Sequence, residues 1–368
     1  MSQLKEVELV STGVYLPGDP IPFDKIEDVL GHLDQAPART QKLNSKLRAM
    51  AKNIIGIEHC HYAIDPATGR TNETNTSMAV KAIKQGLQRA EMKAADLEAI
   101  VLAGAYPDSV MPPTTALIQQ ELGIESCVEM EIHSNCTGIT KAFQVAFDML
   151  RIGRCKTAAV VYSQLSSIYF LASYYNQEQV KMENILLRWF LSDAASMAIL
   201  RAKDTVAKGI KIKDIYNESI GGKLKAAMWL PLGASNPNLL EAYKNGKHHY
   251  GQDYTAVNDL APDLAINGFI KMMGKFNMGL NEIDHLLIPI PSTRLFKKCQ
   301  EIGENKHGFP LKKWFNNIPK KGYGGGAAML VGLDEMIQEK MFKPREKLAS
   351  FTIESSKWMV GGLVIEYL

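Results

Sequence analysis

Glu131-Ile132-His133-Ser134-Asn135-Cys136-Thr137-Gly138 lies between a short β-branched run and a long amphipathic stretch, so the chain is expected to pass here directly from a strand into a helix. A cysteine at such a passage feels the positive end of the peptide dipoles and neighbours N–H groups that the helix leaves unpaired. Both effects favour the thiolate and can hold a developing oxyanion, which makes Cys136 the candidate nucleophile. The competing reading is a small core residue, because free cysteine packs well and is often inert.

Outward from this point the pattern alternates. Glu6–Val14, Leu97–Gly104, Cys127–Ile132, Thr157–Tyr162 and Ala194–Leu200 read as strands, and Thr76–Ala90, Thr114–Leu122 and Cys136–Ile152 as helices. The order then starts again, with helices predicted over Tyr254–Met273, Thr293–Ile302 and Gly325–Glu339 and strands over Asp284–Pro289, Lys347–Glu354 and Gly361–Tyr367. No Pro/Gly/Ser-rich linker separates the two series, so residues 1–200 and 201–368 are expected to form two packed, pseudo-symmetric α/β halves. Residues 24–53 and 168–190 do not fit the alternation and are expected to cap a cleft. Phe170, Tyr174, Tyr175, Trp189 and Phe190 suit either a sizeable apolar pocket or plain core.

A chain of 368 residues, 46% hydrophobic and 22% charged, can build its core without metal or disulfide support. A net charge of +3 gives no case for nucleic acid, and no run approaches the 18 apolar residues of a membrane span. The five cysteines are odd in number and lack CxxC or Cys/His ligand spacing. Free thiols in a reducing, cytoplasmic setting follow, with no metal site and no permanently bound cofactor expected.

Several further stretches carry a resemblance. Val10-Ser11-Thr12-Gly13-Val14-Tyr15-Leu16-Pro17, Gly56-Ile57 with His61-Tyr62-Ala63, Met111-Pro112-Pro113-Thr114 and Leu191-Ser192-Asp193-Ala194-Ala195 accompany the cysteine turn in order. With them the chain resembles the thiolase superfamily, most closely its 3-oxoacyl-(acyl-carrier-protein) synthase III branch, nearly end to end. The resemblance implies a five-layered αβαβα thiolase fold and a dimer, with itself or with a related subunit, in which Met111 reaches into the partner's pocket. It also implies an acyl group taken by Cys136 from an acyl-CoA or acyl-carrier-protein thioester, CoA or phosphopantetheine being part of the substrate.

Two positions depart from that branch. Its decarboxylating members use a histidine and an asparagine beside the cysteine, and alignment of Pro289-Ile290-Pro291-Ser292-Thr293 and Gly322-Tyr323-Gly324-Gly325-Gly326 with those motifs puts Ile290 and Tyr323 in their places. Isoleucine offers no polar atom, and tyrosine offers one hydroxyl on a larger ring. The closing glycine-rich loop is replaced by Ile353-Glu354-Ser355-Ser356-Lys357-Trp358. His133, Tyr323 and Ser355 are candidate supporting groups; His285 is weighed as a surface histidine, Glu354 as an exposed loop carboxylate, and His248-His249 as solvated. Arg294, Lys297, Lys298, Lys320 and Lys321 are candidates for contacting a carrier protein or the phosphates of CoA.

The expected function is therefore a transferase: an acyltransferase of fatty-acid-related or polyketide-like biosynthesis that loads Cys136 from a thioester and passes the acyl group to an acceptor other than a decarboxylating malonyl unit. The alternative is a catalytically reduced, architectural subunit of a heteromeric ketosynthase or acyltransferase assembly.

Overall fold

The computed structural model describes residues 4–368. Among these, ten strands join one sheet: β1 (Glu6–Tyr15), β2 (Ala99–Gly104), β3 (Val128–His133), β4 (Thr157–Gln164), β5 (Ala194–Lys203), β6 (Ile210–Ser219), β7 (His285–Leu287), β8 (Trp314–Phe315), β9 (Lys347–Glu354) and β10 (Met359–Tyr367). Their order across the sheet is β8-β7-β9-β10-β6-β1-β5-β4-β2-β3. On one side of the centre β1 pairs antiparallel with β5, β5 antiparallel with β4, and β4, β2 and β3 run parallel. On the other side β6, β10, β9, β7 and β8 repeat that sequence of antiparallel and parallel pairings. A short antiparallel ladder, Val7–Leu9 against Ile210–Ile212, joins the two sets.

Seven longer helices complete the layers: α1 (Ala38–Ile54), α2 (Asn75–Arg89), α3 (Thr114–Glu121), α4 (Gly138–Arg151), α5 (Tyr254–Lys275), α6 (Thr293–His307) and α7 (Ala327–Gln338). α4 packs on β2 and β4 but also on β6, and α7 on β5 and β1 but also on β7, so these two helices lie between the two sets of strands. α2 covers β1 and β5 from outside with α3 beside it, and α5 covers β9 and β10 with α6 beside it. The result is the thiolase fold, with five layers of alternating helix and strand.

Sequence explains the layering. α4 buries Ile139, Ala142, Phe143, Ala146, Phe147 and Leu150, at helical spacing, against the strands. α7 is apolar through Ala327–Leu333 and buried throughout that stretch, as a helix enclosed on every side must be. β4 and β5 are buried on both faces, which a strand sandwiched between helical layers requires.

Expected and observed elements differ at β6 and β8, where no strand is expected, and at the start of α4. β6 is not among the expected strands, although Ile210-Lys211-Ile212-Lys213 alternates with a period of two. The predicted helix at Cys136–Ile152 begins only at Gly138, which leaves Cys136 outside it. Residues 24–53 contain an ordered 17-residue helix, α1, whose Arg48 joins a buried cluster: Glu27 accepts from Asn44 at 2.8 Å and lies 3.4 Å from Arg48 and 3.7 Å from the buried Arg188. Arg188 also donates to the carbonyls of Phe170 and Gly31, tying residues 24–53 to residues 168–190.

Candidate active site

β3 ends at His133, and the chain enters α4 through Ser134–Thr137, so Cys136 stands outside the carboxyl end of a parallel strand where α/β sheets form their crevices. The equivalent passage in the other half, leading into α7, carries Tyr323. The two side chains meet: the Tyr323 hydroxyl is 2.9 Å from Cys136 Sγ. Tyr323 is held there by its backbone, whose carbonyl accepts from the amide of Ser192 at 3.0 Å. The glycines around it permit the approach. Gly322 has φ 75° and a Cβ would meet Ser192 Oγ at 2.7 Å; Gly325 has φ 59° and a Cβ would meet Gln164 Oε1 at 2.0 Å.

Cys136 and Tyr323 share a narrow cavity of about 70 Å³ with Ile290, Pro291, Gln252 and Ser355. Among the described residues no histidine lines it. Beyond the thiol and phenol its polar side chains include the Gln252 carboxamide and the Ser355 hydroxyl, the first donating to the second at 3.3 Å. Gln252 carries no signal in the sequence, because nothing local links Gly251-Gln252 to a cysteine more than a hundred positions away. An apolar groove of about 240 Å³, lined by Met50 and Ile54 of α1 and by Arg294, adjoins this cavity and shares its walls at Phe190, Val257 and Leu295.

The thiol is not primed as expected. Burial, then the nearby Glu354 carboxylate, push Cys136 up to about 12 despite its hydrogen bond with Tyr323, which pulls the other way. The reason lies at the start of α4. Glu354 Oε2 accepts from the Thr137 amide at 3.1 Å, from Thr137 Oγ1 at 2.6 Å and from Ser134 Oγ at 3.0 Å. The positive end of the helix therefore already holds an anion, and the favourable field expected for a thiolate is spent on a carboxylate. Glu354 is 2% exposed, at the end of β9, and corrects the reading of an exposed loop acid. Tyr323 is driven well above the usual tyrosine range, chiefly by burial and then by Cys136, so it stays a phenol.

Of the other candidates, Ser355 lines the thiol cavity, whereas His133 faces a different chamber, beyond β9. Lys297 is exposed on α6, Lys298 donates to the carbonyl of Asn258 at 3.2 Å, and Lys321 lies 3.9 Å from Glu335. Lys320 is exposed, and neither cavity nor groove includes any of these lysines. Met111 is 83% exposed on its loop. His285 pairs with Glu346 at 2.8 Å, away from the thiol. His248 and His249 are buried rather than solvated: His248 Nε2 lies 3.0 Å from the carbonyl of Tyr174, His249 accepts from the Asn176 amide at 3.1 Å, and burial lowers His249 to about 4. Phe170, Tyr175 and Trp189 are core; Phe190 also lines the cavity. All five cysteines are free, and among the described residues no helix is long and apolar enough to cross a membrane.

No family model matches the chain. It is 21% identical over 345 residues to a beta-ketoacyl-[acyl-carrier-protein] synthase III of Clostridium perfringens, covering 94% of each chain, and 26% identical over 329 residues to one of Methylococcus capsulatus, covering 87% of this chain and 92% of that one. Among solved structures it superposes on the tetronic acid condensing enzyme AbyA1 with a TM-score of 0.82 at 20% identity over 98% of this chain and 99% of the other. The 3-oxoacyl-[acyl-carrier-protein] synthase III of Aquifex aeolicus gives 0.75 at 18% identity, over 98% and 100%.

Proposed function

For a thiolase-fold chain that is 3-oxoacyl synthase III-like along nearly its whole length, we propose an acyltransferase in which Cys136 accepts an acyl group from a CoA or acyl-carrier-protein thioester and yields it to an acceptor without malonyl decarboxylation. The observation that carries this reading is the Cys136–Tyr323 contact of 2.9 Å in a cavity that Ile290 also lines. Decarboxylative condensation calls for preorganised donors around the thioester carbonyl, each contributing about 3–4 kcal/mol to the barrier. A hydrocarbon wall supplies none.

Thioester exchange asks for less, because a thiol leaves readily. With the thiol at about 12, the thiolate at pH 7 is about one part in 10⁵, so the proton must move with the attack. Tyr323 is placed to relay it. As Cys136 Sγ bonds to the acyl carbon and the donor's C–S bond breaks, the phenol takes the Cys136 proton and gives its own to the departing sulfur. The apolar groove leading outward to Arg294 suits a pantetheine arm with its phosphate at the rim. A dimer through β3 follows the same analogy, since this outer strand exposes Val128 and Met130.

Incubation with a panel of acyl-CoA donors followed by intact-protein mass spectrometry tests the reading. An acyl adduct on the native chain, absent from Cys136→Ala, is expected. Absence of any adduct favours the second reading, an architectural subunit of a heteromeric assembly, to which the raised thiol pKa lends support.

A further inference from the structure

α5 runs from Tyr254 to Lys275 with a buried proline, Pro262, inside it. A proline within a helix has no N–H to give the carbonyl four residues back, and its ring presses against that carbonyl. In α5 that carbonyl belongs to Asn258. The missing donor comes from another helix: Lys298 Nζ, on α6, donates to the Asn258 carbonyl at 3.2 Å. Lys298 is half-buried and forms no ion pair among the described residues, so its ammonium is committed to a backbone oxygen.

The contact stands behind the wall of the site. Val257, Ala261, Pro262 and Ala265 of α5 line the thiol cavity, and Tyr254, Val257 and Asn258 line the adjoining groove. From α6, Leu295 lines both spaces and Cys299 the cavity. Lys298 lies one turn beyond Leu295, on the face that α6 turns towards α5, and lines neither space. Pro262 thus loosens α5 where the helix forms this wall, and Lys298 ties the loosened turn to α6. Released from that tie, an apolar wall beside a void closes on it in part, as the surroundings of a core cavity do.

We infer that Lys298 is a positioning residue for the thiol site: it supplies the donor that Pro262 withholds from Asn258 and so holds open the wall shared by cavity and groove. As a statement about the acyl donor this rests on the acyl-transfer reading above. The rival role for the same ammonium is a direct contact with the phosphates of CoA.

A double-mutant cycle on the full chain separates the two roles, because alanine at 262 restores the backbone N–H and makes the lysine dispensable. Lys298→Met keeps the apolar stem and removes the ammonium. N-octylmaleimide, an uncharged alkylating probe, reads the wall without any acyl transfer. Its second-order rate constant at Cys136, followed by peptide mass spectrometry, should fall about tenfold in Lys298→Met. In the Pro262→Ala background the same substitution should change nothing, whatever rate Pro262→Ala itself sets. KM for octanoyl-CoA should rise about tenfold in the native background only, with kcat little changed. An equal penalty in both backgrounds, a penalty confined to octanoyl-CoA and erased by salt, or no penalty in either background overturns the inference. If no donor leaves an adduct on Cys136, the acyl-transfer reading fails, while the maleimide cycle still decides the role of Lys298.

Discussion

Cys136 and Tyr323 occupy corresponding places in the two halves, Cys136 two residues before α4 and Tyr323 four before α7, and their side chains meet at 2.9 Å. The repeat of strand order therefore does chemical work. It aims the starts of the two middle helices at one point, so a residue from each half contributes to a site that neither half contains alone.

After burial, the larger cause, the Glu354 carboxylate holds down the reactivity of the Cys136 thiol. Because its charge helps to push the thiol up to about 12, alkylation of Cys136 by iodoacetamide should rise about tenfold with each pH unit up to that value. Glu354→Gln removes the charge, which lowers the thiol pKa, so the whole profile should move to lower pH and the rate at pH 8 should rise about tenfold. A profile that stays in place, or moves to higher pH, contradicts the role given to Glu354.

Gly325→Ala should disturb the turn that carries Tyr323. The position has φ 59° and its new Cβ would fall 2.0 Å from Gln164 Oε1. A loss of about 1–3 kcal/mol in urea unfolding, with slower acylation, is expected. Unchanged stability and rate would mean that the turn tolerates what its geometry forbids.

Arg294 rims the outer groove and should act on binding rather than on bond making. Arg294→Glu is expected to raise KM for acyl-CoA by roughly tenfold with kcat little changed, and the effect should shrink as salt is added. An acyl-pantetheine donor lacking phosphate should show no such penalty. An equal penalty for both donors would place the phosphate elsewhere.

The legible part of this protein was what local sequence determines. Period-two and period-3.6 patterns located eight of the ten sheet strands and the helices between them well enough to expose the repeat, and the strand-to-helix passage at Cys136 is written in eight consecutive residues. β8 is two residues long, too short for any periodicity to show. Ile290 and Tyr323 could be aligned to a family pattern, and the structure brings both to the cavity of Cys136.

The electrostatics were not legible. Glu354 looks like a loop acid in isolation, and its hydrogen bond to the Thr137 amide spans 217 positions. The helix-end argument for a thiolate was sound for an empty helix terminus, and the terminus is occupied. His248 and His249 misled for a similar reason: a polar, glycine-flanked segment suggested solvent, yet Tyr174, Tyr175 and Tyr243 enclose both rings.

The rate of Cys136 acylation by octanoyl-CoA, followed by intact-protein mass spectrometry in the native chain and in Tyr323→Phe, bears most directly on the pairing of these two residues. Losing the phenolic hydroxyl removes the proton relay while keeping the ring, so the variant should acylate on the order of a hundredfold more slowly at pH 7. Equal rates in the two proteins would contradict the account.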